Sequence, residues 1–111
     1  MQRRNRWAGC ALSLLLALGF MLIFGICNTP LGPVIGSDNA IYLTMGTAIA
    51  QGYAPYTEIF DHKGPLLFVL EAIPQALAGG YSTLAVFVME VLFLFACLRV
   101  LCAICRTLRA P

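Results

Sequence analysis

Charge is what this sequence has least of. Only 11% of its 111 residues are charged, against about 25% in an average soluble domain. A chain so poor in charge cannot cover itself with polar surface, so a water-soluble reading is poor and a membrane reading good. The length suffices for one small domain. Histidine and lysine occur once each, as His62 and Lys63. One imidazole with scattered acids falls short of a closed metal site, and none is expected. The remaining cations are Arg3, Arg4 and Arg6 at one end and Arg99, Arg106 and Arg109 at the other. That distribution offers no basic, water-exposed face and excludes a nucleic-acid partner. The five cysteines are an odd number, and Cys10, Cys97, Cys102 and Cys105 fall in apolar runs. They do not read as a disulfide framework. Cys102 and Cys105 form a CxxC without further ligands nearby, and the expectation is small, buried apolar residues.

What is abundant is apolar sequence. Residues 8–27, AGCALSLLLALGFMLIFGIC, carry no charge and as a helix would span about 30 Å of hydrocarbon. MQRRNRW precedes them, and three arginines with an interfacial tryptophan predict a cytoplasmic N-terminus. A cleaved signal peptide competes with this reading. No small-x-small site follows, however, and Ile26 precedes Cys27 where a lipoprotein needs a small residue, so a retained helix is preferred. Residues 81–105 form a second predicted span. The arginines beyond it place the C-terminus in the cytoplasm as well, leaving 28–80 as one extracytoplasmic loop. The segment 65–77, PLLFVLEAIPQAL, is too short for a comfortable span. Glu71 and Gln75 share one of its helical faces, and a helix in or dipping into the interface is expected, with a full crossing as the alternative. Glu90 falls near the middle of the second span, where an acid is costly. The expectation is that it is protonated or that its partner belongs to another polypeptide.

Within the loop, Pro30, Gly32, Pro33 and Gly36 predict a stiff turn region. Ser37 is the expected N-cap of a helix over 38–51, with Gly52 as its stop. Ile41, Tyr42, Met45, Ala48 and Ile49 share a face of it, which predicts an amphipathic helix lying on the bilayer. Asp38 would sit in its first turn, at the positive end of the helix dipole. The stretch EIFDHKGP then gathers Glu58, Asp61, His62 and Lys63 just before the interfacial segment. Charged loop residues beside a membrane are commonly no more than a solvated surface.

The order of the pieces gives that cluster more weight. A basic start and one span lead to Asp38, Tyr42, Gly52, Pro55-Tyr56 and Asp61-His62-Lys63-Gly64-Pro65-Leu66, then Gly80-x-Ser82 and a second span. Across residues 8–105 this resembles the N-terminal part of the GT-C membrane glycosyltransferases, the protein O-mannosyltransferases, the lipid A aminoarabinose transferases and their bacterial relatives. Two details depart from the pattern: Asn39 stands where many members have a second acid, and Gly64 where many have proline.

The resemblance implies transfer of a sugar from a polyprenyl-phosphate donor to an extracytoplasmic acceptor. It implies Asp38 as catalytic base, and Tyr42, Tyr56, Asp61, His62 and Lys63 as substrate-binding residues, with Lys63 meeting the phosphate. It implies no cofactor, although some relatives pair the loop acid with a divalent cation. The partners would be the lipid-linked donor and membrane lipids. Family members have many more spans, so a truncated or partial transferase is expected, completed by its missing remainder or by another membrane subunit. The alternative, from a different class, is a small non-catalytic membrane protein or subunit. A transporter fragment is disfavoured, because the polar residues lie in a loop and not at mid-span. The expected fold is all-α: two transmembrane helices joined by a long extracytoplasmic loop with amphipathic juxtamembrane helices, in a bacterial inner or plasma membrane.

Overall fold

The computed structural model describes residues 2–25, 28–31 and 36–109, with side chains for 7–25, 28–31 and 36–108. Cys27, Gly32 and Pro33 lie outside the described residues, as do the side chains of Arg3, Arg4, Arg6 and Arg109. Four helices are present and, among the described residues, no strand: α1 (Gln2–Phe24), α2 (Ser37–Ala50), α3 (Pro65–Ala78) and α4 (Thr83–Arg109).

The two long helices, about 34 and 40 Å, pack against each other around Ala17, Phe87 and Val91. Met21, Leu22, Leu94, Phe95 and Leu98 close this small core. Gly9 near the start of α1 faces Arg99 and Arg106 near the end of α4, so the two run antiparallel. Both are long and apolar enough to span a membrane, yet only 11% of the apolar window of α1 and 17% of that of α4 are buried. Leu12, Leu15, Ile23, Leu92, Phe93 and Leu101 are all exposed. An apolar helix in a soluble fold would hide such side chains; here they form the outer surface, as lipid-facing side chains do. Cys97, Cys102 and Cys105 belong to that surface and Cys10 is half-buried, which corrects the expectation that these thiols are buried.

The connection between the long helices folds back as α2 and α3, which pack on each other. The N-cap of α2 is Gly36, in extended conformation and without a side-chain bond. Ser37 is therefore the first helical residue and not the expected cap. Gln51 closes α2, and Gly52 follows with φ 99°, a conformation that costs glycine little. The residues α2 buries are Leu43, Met45 and Gly46, and Gly46 meets Glu71 of α3. Of the expected stripe Met45 is buried, while Ile41, Tyr42, Ala48 and Ile49 are only half-buried. The helix is apolar nearly all round, so spacing alone did not distinguish its protein-facing side.

α3 starts with Pro65 in its first turn, where a missing N–H costs nothing. It ends at Gly79, left-handed at φ 74°. Its inward face carries Phe68, Glu71, Ala72 and Gln75, all buried, so the shared face of Glu71 and Gln75 is turned into the protein. Gln75 also anchors the start of α4. Its Oε1 accepts the Ser82 backbone N–H at 2.6 Å, and Ser82 Oγ accepts the Ala85 N–H at 3.1 Å. Ser82 is thus the side-chain cap of α4.

Candidate functional site

The turn between α2 and α3 presents Lys63. Its fold is set locally. Tyr56 takes φ 67°, a left-handed conformation uncommon for tyrosine, and its N–H donates to the Ile59 carbonyl at 2.6 Å. Glu58 accepts the Ala54 N–H at 2.6 Å, so this member of the charged stretch serves to close the turn. The Tyr56 hydroxyl donates to the Lys63 carbonyl at 2.5 Å, and Asp61 Oδ1 accepts the Lys63 N–H at 3.0 Å. Both backbone groups of Lys63 are therefore held by side chains.

The lysine side chain reaches from this turn to the first turn of α2. Its Nζ lies 3.4 Å from Asp38 Oδ1 and 4.3 Å from the centre of the Tyr42 ring. Tyr42 in turn stands beside the buried Phe68 of α3, at 6.4 Å between ring centres, and Phe68 beside Tyr56 at 6.5 Å. The Tyr42 side chain most strongly raises the Lys63 pKa above the value of 10.5 for a free lysine; desolvation opposes it, and the Asp38 carboxylate adds to the rise. Nζ is shielded at short range, yet few protein atoms occupy the wider shell around it, so solvent screens its charge. Asp38 is largely exposed, its side chain 75% accessible, and remains open to a ligand. His62 Nδ1 lies 3.5 Å from Asp61 Oδ1, with its ring in solvent and Asp61 mostly covered. Asp38 and Tyr42 thus flank the Lys63 ammonium, Tyr56 and Asp61 hold the Lys63 backbone, and His62 stands beside Asp61 without reaching the ammonium.

The nearest charge to Asp38 is already a cation, and the neighbouring Asn39 side chain donates to Asn28, at 3.1 Å. Among the described residues no three His, Cys, Asp or Glu side chains converge as metal ligands do.

Sequence reasoning missed a polar chain behind the site. Asn39 Nδ2 donates to Asn28 Oδ1, and Asn28 Nδ2 donates to Glu90 Oε1 at 2.9 Å. Asn28 is buried at 3% exposure. The partner of Glu90 expected in a second polypeptide is therefore an amide of this chain, and Glu90 is the eighth of the 27 residues of α4. The available signal was Asn39 itself, an amide directly beside Asp38. Glu71 completes the interior: burial first, and the Glu90 carboxylate second, push its carboxyl above the usual range. Its Oε2 and Gln75 Nε2 have no hydrogen-bond partner among the described residues.

No protein-family model, no curated protein and no solved structure matches the chain.

Proposed function

We propose that the Asp38–Lys63 pair is the donor site of a GT-C-like membrane glycosyltransferase, of which this chain carries the N-terminal portion. The reading rests on the motif order in the sequence, and one observation supports it: the Asp38 carboxylate and the Lys63 ammonium lie 3.4 Å apart, one in the first turn of α2 and the other just before α3. In this reading α1 and α4 cross a bacterial inner or plasma membrane, with both termini cytoplasmic. The turn and the first turn of α2 then lie at headgroup depth outside.

A sugar linked to a polyprenyl phosphate has its reactive carbon one oxygen away from the phosphorus, at that same depth. The phosphate oxygens would compete with Asp38 for Lys63. Once Lys63 meets the phosphate, Asp38 is released to face the acceptor. The acceptor oxygen then forms its bond to the anomeric carbon. The bond from that carbon to the phosphate oxygen breaks, and its electron pair stays on the phosphate. The hydroxyl proton passes to Asp38. Lys63 stabilises the charge gathering on the departing lipid phosphate. Tyr42 holds the ammonium from beneath, and Tyr56 and Asp61 fix the backbone that carries it. His62, in solvent beside Asp61, is placed to touch the phosphate or the acceptor.

The test is transfer from radiolabelled polyprenyl-phosphate sugars in membranes that contain the chain. Asp38→Asn should lower transfer by about 10²–10⁴-fold while a photoreactive donor still crosslinks. Lys63→Met should lower crosslinking as well. Crosslinking and transfer indifferent to both substitutions would sink the assignment.

A further inference from the structure

We propose that Gly9, Arg99 and Arg106 form a binding site for the phosphate of an anionic membrane lipid, at the end of the α1–α4 pair opposite the Lys63 site. A Cβ on Gly9 would lie 3.7 Å from Arg99 Nη1 and 3.8 Å from Arg106 Nη2. Two guanidinium groups of one helix therefore converge on a single residue of the other. They are seven residues apart on α4, two turns along one face, and reach toward each other over the notch that glycine leaves.

Two like charges do not gather without a reason. The ion pairs among the described residues are Asp61 with His62 and Asp38 with Lys63, and neither arginine takes part. All five acids of the chain fall between positions 38 and 90. The acid closest along α4, Glu90, is about 14 Å from Arg99 along the axis. An anion between the arginines would relieve their repulsion. The planar fork of guanidinium suits phosphate oxygens, two to each group.

The position selects a lipid as the source of that phosphate. Arg99 lies about 24 Å along α4 from Thr83, within an apolar helix whose window runs on to Leu108. Val100, Leu101 and Ile104 beside it are exposed apolar side chains, a surface for acyl chains. Trp7, two residues before Gly9, is 73% exposed, as tryptophan is where headgroups meet hydrocarbon. A phosphodiester headgroup with its chains along α4 meets both requirements. This inference stands on the antiparallel apolar pair alone and is independent of the transferase reading.

The experiment is native mass spectrometry of the protein released from nanodiscs of equal phosphatidylglycerol and phosphatidylcholine. The wild type should retain phosphatidylglycerol at least tenfold over phosphatidylcholine. The double variant Arg99→Gln with Arg106→Gln should lose that preference. Gly9→Leu keeps both charges but fills the notch, and retention should fall at least fivefold. Replacing both arginines by lysine keeps charge and helix length and loses only the fork; retention should fall severalfold. Circular dichroism of each variant, in the same nanodiscs, establishes that the helices are intact. Equal retention of the two lipids by the wild type would overturn the proposal. So would unchanged retention in folded Gly9→Leu, or release of the lipid by millimolar inorganic phosphate, which would mark a site for the free anion.

Discussion

Gly46 of α2 and Glu71 of α3 touch backbone to backbone. A Cβ on Gly46 would lie 2.7 Å from Glu71 Cβ and 2.8 Å from its carbonyl carbon. The clash is with main chain, so no rotamer change relieves it, and the helices would have to separate. Gly46→Ala gains about 1 kcal/mol of helix propensity, but overpacking commonly costs about 1–3 kcal/mol. The expected result is a net destabilisation of about 1 kcal/mol, read from denaturant unfolding in detergent micelles. Because α2 carries Asp38 and α3 follows Lys63, donor crosslinking should fall with it.

Asn28 joins the connection to α4 through Glu90. Asn28→Ala removes the amide that donates to Glu90 and the oxygen that accepts from Asn39. Leaving buried polar groups without partners costs about 1–3 kcal/mol, and the same unfolding measurement should register a loss of that size. Glu90→Gln keeps an acceptor at the same place and should cost less. A double-mutant cycle with Asn28→Ala and Glu90→Leu should show coupling, since each change removes the other's partner.

Lys63 is the only lysine of the chain, so its amine can be followed alone after isotopic dimethylation, apart from the α-amino group. Its pKa is raised in the folded protein above 10.5. A raised value means that the charged form is favoured by folding. The stabilisation is fully present below pH 10.5, the ordinary lysine value, and is lost as pH rises through the higher folded value. The nuclear magnetic resonance titration should therefore run above that of a free dimethylated lysine. Tyr42→Leu should lower it most and Asp38→Asn also, in the order of their influence. A titration indistinguishable from the free amine would show that the ammonium is not held between them.

The elements with strong local signals were legible in the sequence. Twenty uncharged residues cannot be hidden in so small a chain, and the two long helices follow from them. Gly64-Pro65 and Gly79 mark the ends of α3 because proline fixes φ and glycine accepts the left-handed turn. That Glu71 and Gln75 share one face of α3 was legible too, but not that this face turns into the protein, since the polar face of an interfacial helix is expected to meet headgroups and water. The protein-facing side of α2 was not legible either: apolar residues surround that helix, and a close approach at Gly46 depends on a partner that spacing does not reveal. The Asn39–Asn28–Glu90 chain escaped for a related reason. Its members are 11 and 62 residues apart, and asparagine in a loop reads as turn chemistry. Around Lys63 the sequence offered the residue types, whereas the left-handed Tyr56 that brings its hydroxyl to the Lys63 carbonyl has no local signature.

The Asp38–Lys63 contact invites two explanations, a tie between α2 and the turn or a site that handles substrate. Exchanging the charges separates them. Asp38→Lys combined with Lys63→Asp restores an opposite pair across the same gap. If the contact only fastens α2 to the turn, the exchange should recover what either single change loses in stability and in transfer alike. If it is the donor site, the exchange should recover stability alone. A carboxylate at position 63 would repel the lipid phosphate, and an ammonium at position 38 has no lone pair to accept the acceptor's proton. Transfer should then stay at least about 10²-fold below wild type, and donor crosslinking should stay low because like charges meet. Unfolding and transfer, measured on the two single variants and the exchange in the same membranes, give six values. Recovery of transfer with the exchanged pair would leave Asp38 and Lys63 as a fastening between α2 and the turn.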